Sequence, residues 1–188
     1  MPDDTVSAAE FAERLAVVRD RVRSAAASVG RDPSEVTIVG VTKTVPEARI
    51  RIAVEAGLRD LGENYVQELR AKQPLLPTAT WHFVGTLQGG SARHVARHAD
   101  VVQTLAPGGA VERLSSRLAA LGRSIPCLIE VDLTGDRPGV RPEDLRSFAT
   151  LVRSLPGVRL AGLMTLPPAD ADPEAARPFF RRLRELRD

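Results

Sequence analysis

Apolar and polar positions along this chain alternate between a helical rhythm of about 3.6 residues and short, continuous apolar runs. Phe11, Leu15, Val18, Val22 and Ala26 recur at helical spacing and predict an amphipathic helix over 8–29. Val36-Thr37-Ile38-Val39-Gly40-Val41 predicts a strand over 36–42. A helix should follow from Pro46, suited to the first helical position, to Gly57, suited to a C-terminal stop. The same alternation predicts further strands at 59–61, 80–84, 101–104, 127–133 and 159–164. Helices are expected at 64–73, 91–97, 110–121 and 142–155, with a last one from Pro173.

Six strands, each followed by a helix, imply a parallel sheet covered by helices. Both a closed (β/α)8 barrel and an open doubly wound sheet fit that order. No G-x-G-x-x-G follows the first strand, which weakens the dinucleotide-binding version. A barrel needs eight strands and usually about 250 residues. With 188 residues and six strands, the expectation is either an open sheet or a barrel short of closure, as one domain over 1–188.

Composition narrows the class. A hydrophobic fraction of 43% and a charged fraction of 27% are those of an ordinary globular chain, and with 4% aromatics the core must be mainly aliphatic. The formal charge of +2 is spread among acids, with no basic stripe interleaved with aromatics, which argues against nucleic-acid binding. Cys127 is the sole cysteine, so no internal disulfide can form, and its apolar surroundings predict a buried, inert thiol. The acidic start Met1-Pro2-Asp3-Asp4 lacks the apolar core of a signal peptide, and no apolar run is long enough to span a bilayer. A cytoplasmic location follows as the expectation.

Lys43 is one of only two lysines, the other being Lys72, in a chain whose cations are otherwise arginines. It stands where the first strand gives way to Thr42-Lys43-Thr44-Val45-Pro46, at the C-terminal strand ends that form the active face of parallel α/β folds. A desolvated lysine can lose its proton and attack a carbonyl to form a Schiff base, which an arginine cannot do. The plainer alternative is a solvated side chain at a strand end.

A second polar cluster, Gly62-Glu63-Asn64-Tyr65-Val66-Gln67-Glu68, falls at the next strand end. Locally, Asn64 reads as a helix N-cap with Gln67 completing a capping box, a role that leaves its amide able to meet a ligand. In Trp81-His82-Phe83-Val84-Gly85-Thr86-Leu87-Gln88 the glycine would allow close approach of backbone to a bound molecule. His82 there reads first as a hydrogen-bonded core histidine. Gly89-Gly90-Ser91 opens a helix whose N–H groups could hold an anion. His94 and His98 have a metal-compatible spacing, but Arg93 and Arg97 beside them argue against a metal. Met164 ends the sixth strand, where packing and contact with a flat aromatic ligand are both open.

Val39-Gly40-Val41-Thr42-Lys43-Thr44, Gly62-Glu63-Asn64-Tyr65-Val66-Gln67-Glu68, Trp81-His82-Phe83-Val84-Gly85 with Leu87-Gln88, and Gly162-Leu163-Met164 follow one another in a recognisable order and spacing. In this the chain, over essentially its whole length, resembles the pyridoxal-phosphate homeostasis proteins, single-domain relatives of the alanine racemase N-terminal barrel. The resemblance implies a (β/α)8 barrel of the pyridoxal-phosphate fold-type III kind, here with about six units. It implies pyridoxal 5'-phosphate held as an aldimine on Lys43, with Asn64 near the ring substituents, Met164 near the ring face and His82 at the cofactor site. It further implies a vitamin B6 carrier without catalytic turnover, a monomer or weak homodimer, with pyridoxal-phosphate-dependent apoenzymes as recipients. A Schiff-base racemase or lyase, or a fragment that binds nothing, are the competing readings; racemisation needs acid/base groups on both ring faces.

Two departures stand out. The family's L-Q-x-N-K becomes Leu87-Gln88-Gly89-Gly90-Ser91, and the chain ends at Asp188, before the serine-rich segment and R-x-G turn that hold the phosphate and the pyridine nitrogen in the family. The expectation is therefore exposed edges on the first and sixth strands, and weakened cofactor affinity unless Gly89-Gly90-Ser91 or a second chain substitutes.

Overall fold

Six parallel strands lie side by side in the order of the sequence, β1 to β6, in the computed structural model, which describes residues 6–169 and 172–188. The strands are β1 Val39–Val41, β2 Asp60–Glu63, β3 Thr80–Phe83, β4 Val101–Leu105, β5 Ile125–Glu130 and β6 Val158–Met164. The helices are α1 Ala8–Ala27, α2 Glu47–Glu55, α3 Val66–Lys72, α4 Ala92–His98, α5 Ala110–Ala120, α6 Leu145–Ser154 and α7 Arg177–Arg187. The acidic segment Met1–Asp4 lies outside the described residues.

A doubly wound sheet reverses its strand order at a switch point. Here every crossover advances the sheet by one strand, as in a barrel, but among the described residues β1 and β6 do not pair. The expected incomplete barrel is thus what forms, with an unpaired edge at either end.

The alternation of side chains along each strand divides the sheet into two faces. Leu61, Trp81, Phe83 and Val102, all at most 1% exposed, join Ile50, Leu69, Val95, Leu114 and Leu118 in one continuous cluster between sheet and helices. Trp81 donates its indole N–H to the Leu76 carbonyl at 3.2 Å, so the polar atom of the largest core side chain is satisfied. Cys127 is buried with them, and burial pushes its thiol up to about 12, as expected of an inert thiol.

Several predicted boundaries move for identifiable reasons. Asp32 caps a short 3-10 turn, Pro33–Glu35, which delays β1 to Val39. Pro46 is the N-cap of α2 rather than its first residue, because its backbone is extended. Strand β2 continues through Gly62 and Glu63, two residues beyond the predicted 59–61, and Tyr65 becomes the N-cap of α3. The predicted capping box on Asn64 and Gln67 therefore does not form. The one that does joins Ser7 and Glu10 at the start of α1.

Candidate functional site

The turn after β1 carries the first candidate. The Val45 N–H donates to the Thr42 carbonyl at 3.0 Å, closing a four-residue turn with Lys43 and Thr44 at its centre. Thr44 sits at φ 61, in the left-handed region that a β-branched residue rarely enters. A contrary stabilisation must hold it there.

That stabilisation comes from a buried ion cluster. Lys72, at the C-terminal end of α3, donates to the Thr42 carbonyl at 2.7 Å, to Glu63 Oε1 at 2.7 Å and to Glu68 Oε2 at 2.5 Å. All three of its ammonium hydrogens are thereby used. The Thr42 hydroxyl donates to Glu63 Oε1 at 2.7 Å, and the Thr44 N–H donates to Glu68 Oε2 at 2.8 Å. Glu63 is 0% exposed and its Oε2 has no hydrogen-bond partner.

Burial alone would lower the Lys72 pKa, but hydrogen bonds and charge from Glu63 and Glu68 carry it above the ordinary lysine value. The Lys72 hydrogen bond holds the Glu68 carboxyl below the usual range, assisted by the Thr44 N–H against desolvation.

Lys43 is exposed, and no described residue pairs with its amine. This corrects the expectation of a desolvated lysine: the dry lysine of the chain is Lys72, and Lys43 is the solvent-exposed one.

Asn64, one residue beyond β2, is half-buried and its side-chain amide makes no hydrogen bond among the described residues. Its own backbone occupies the close approach expected for a ligand at Gly85. A Cβ there would lie 1.9 Å from the Asn64 carbonyl oxygen, so the glycine is required by the chain itself.

His82 is 6% exposed and spent in a ladder across three strands. Its Nε2 meets Asp60 Oδ1 at 2.9 Å and its Nδ1 meets Gln103 Nε2 at 2.9 Å. With Gln103 donating, the ring carries its hydrogen on Nε2, which donates to Asp60. Met164 is half-buried at the end of β6, in register with Glu130.

The remaining sequence candidates lie apart from this cluster. The Ser91 hydroxyl donates to the Gln88 carbonyl at 2.8 Å and accepts from the Gln88 N–H at 3.2 Å, so it closes its own turn. Gly89 and Gly90 border a cavity of about 360 Å³ with Arg93, Arg113, Ser116 and Arg117, and Lys43 is not among its lining residues. Arg93 donates to His94 Nε2 at 3.0 Å, and His98 Nδ1 meets Gln73 Oε1 at 3.1 Å. Burial first, then surrounding arginines, lower the pKa of both histidines. Asp132 accepts from the N–H groups of Thr134 and Gly135 at 3.0 and 2.8 Å. Burial would raise its carboxyl, but these donors hold it below the ordinary value.

Sequence reasoning passed over Lys72 and the roles of Glu63 and Glu68. One signal for them was present, since Glu68 and Lys72 are four apart on a helix in the favourable acid-before-base order.

Comparison with known proteins accords with this architecture. The family described as alanine racemase, N-terminal domain, matches residues 9–188. The pyridoxal phosphate homeostasis protein of Pseudomonas aeruginosa is 40% identical over 180 residues, covering 94% of this chain and 78% of the relative. Among solved structures, PipY of Synechococcus elongatus with PLP bound superposes with a TM-score of 0.81 at 34% identity, over 94% of this chain and 80% of that one. The alanine racemase of Corynebacterium glutamicum, at 14% identity, shares the fold with a TM-score of 0.70 over 96% of this chain and 50% of its own length. With its sequential parallel sheet and a free amine at the first strand end, the chain belongs to the alanine racemase N-terminal domain family and, within it, to the pyridoxal phosphate homeostasis proteins.

Proposed function

We propose that this chain binds pyridoxal phosphate reversibly through the Lys43 amine and acts as a carrier or buffer of vitamin B6 rather than as a catalyst. One observation carries the reading: Lys43 is an unpartnered primary amine at the centre of a pinned turn at the C-terminal end of β1. The likeness to a PLP-bound structure at 34% identity supports the choice of ligand. When bound, the cofactor supplies an aldehyde, with which a primary amine condenses.

The residues present fit the covalent half of such a group. Asn64, with its unpartnered amide, is proposed to meet the ring substituents, and Met164 the ring face. His82 is proposed to act at one remove, by tying β2, β3 and β4 together through Asp60 and Gln103. For the phosphate the fit is poorer: Ser91 is engaged in its own turn, and the arginine-lined cavity does not include Lys43. Reduced affinity is therefore part of the proposal.

The non-catalytic reading is supported by the names of the curated relatives, which are called pyridoxal phosphate homeostasis proteins. Hand-over to apoenzymes in the cytoplasm, by a monomer or weak homodimer, completes the reading. The one continuous hydrophobic cluster among the described residues supports treating 1–188 as one domain. No helix among the described residues is long and apolar enough to cross a membrane.

The test is a titration of purified protein with pyridoxal phosphate, followed by absorption in the near ultraviolet and visible. A Lys43-dependent band that is lost in Lys43→Ala, without amino-acid turnover, is the expected result. No band in the unaltered protein overturns the reading, and reproducible turnover lost in Lys43→Ala replaces it with a Schiff-base enzyme.

A further inference from the structure

We infer that Glu63, Lys72 and Glu68 form a clamp that presents Lys43 and decides which of the chain's two lysine amines reacts with a carbonyl compound. The inference deepens the proposed function and rests on it only for the identity of the aldehyde.

The clamp has three attachments to the turn, and they bracket Lys43 on both sides. Lys72 Nζ holds the Thr42 carbonyl at 2.7 Å and Glu63 Oε1 holds the Thr42 hydroxyl at 2.7 Å. Glu68 Oε2 holds the Thr44 N–H at 2.8 Å. Thr44 stays in its unfavourable left-handed conformation under that last bond. Lys43, between two pinned residues, keeps its backbone direction while its amine stays clear of any carboxylate.

The same contacts silence Lys72. Capture of an aldehyde needs the nitrogen lone pair. The nitrogen attacks the carbonyl carbon, a carbon–nitrogen double bond replaces the carbon–oxygen one, and the oxygen leaves as water with the two amine hydrogens. An ammonium whose three hydrogens are all donated, two of them to carboxylates, has neither the lone pair nor the room. Lys43, exposed and without a partner, has the room and no ion pair to break before it reacts. Two lysines joined through the Thr42 carbonyl are thus sorted into one structural cation and one reactive amine.

Glu68 is the residue at which to test this, because its side chain is 26% exposed and tolerates change better than the buried Glu63. Glu68→Gln keeps an acceptor for the Thr44 N–H but removes the charge facing Lys72. Glu68→Ala removes both. Each variant and the unaltered protein are treated separately with formaldehyde plus cyanoborohydride and with pyridoxal phosphate plus borohydride. In both, hydride reduces the carbon–nitrogen double bond to a stable amine, which peptide mass mapping assigns to Lys43 or Lys72. Circular dichroism and denaturation midpoints establish that each variant is folded.

In the unaltered protein, formaldehyde should label Lys43 at least about tenfold faster than Lys72, whose buried ammonium donates all three of its hydrogens. Glu68→Gln should raise the Lys72 rate severalfold and leave Lys43 unchanged. Glu68→Ala should in addition alter the Lys43 rate and its pH profile, which a purely structural role would not move. Equal labelling of both lysines in the unaltered protein, or Lys72 protection unchanged in both folded variants, overturns the clamp. If formaldehyde gives the expected pattern while pyridoxal phosphate labels neither lysine, the clamp stands and the proposed cofactor falls.

Discussion

The two lysines of this chain occupy opposite electrostatic settings although one hydrogen bond separates Lys72 from the turn that carries Lys43. Lys72 is 9% exposed and meets two carboxylates and a carbonyl, whereas Lys43 is exposed and meets none. The side chains are chemically identical, so the difference comes entirely from what surrounds them. Burial between acids turns an amine into a structural ion. Exposure on a fixed turn leaves it without a partner.

The sharpest way to break this comparison is to remove each lysine in turn and measure stability by urea denaturation. Lys72→Met strands the fully buried Glu63 without its counter-ion and should cost about 3–5 kcal/mol. The cost is compounded because Glu63 Oε2 already has no partner. Lys43→Ala should change stability by less than about 0.5 kcal/mol, as for other exposed positions away from special contacts. Similar costs for the two would refute the assignment of structural and reactive roles.

The pH dependence sharpens the same contrast with a smaller effect. Lys72 has a raised folded-state pKa, so its contribution is fully present below the ordinary value of 10.5 and is lost as pH rises through the raised one. Glu68 has a lowered pKa, so its contribution is present above the ordinary 4.5 and is lost as pH falls through the lowered one. The clamp should therefore hold between about pH 5 and pH 10 and weaken outside that window. Replacing Glu68 by Ala should flatten the acid limb of the denaturation midpoint against pH. An unchanged acid limb would mean that Glu68 does not load the clamp.

The smallest effect concerns the turn. Thr44→Gly removes the left-handed strain but adds backbone freedom to the unfolded chain. The two oppose each other, so stability should move by no more than about 1 kcal/mol. Looser presentation should still slow Lys43 labelling. A stability loss well beyond that range would show that the Thr44 side chain itself holds the turn.

Much of the fold was legible because periodicity is local. Six short apolar runs interleaved with helical stretches required a parallel sheet, and Lys43 fell at a strand end in sequence as it does in space. Errors arose where a polar residue ended an apolar run without ending the strand. The predicted second strand stops at Leu61, before Gly62 and the polar Glu63 that in fact continue it, and the predicted helix cap falls on Asn64 instead of Tyr65. The buried carboxylate is tolerated in the strand because Lys72, nine residues on, reaches back to it.

The sequence by itself determined the β/α rhythm, the rarity of lysine and the place of Lys43 beyond an apolar strand, since these depend on neighbours along the chain. Only the tertiary structure decided which lysine is dry. It also decided that His82 is spent between Asp60 and Gln103, residues 22 and 21 positions away. Electrostatic environment is made by groups that meet in space. The bond from Lys72 to Thr42 spans 30 residues, a separation over which no local pattern carries information.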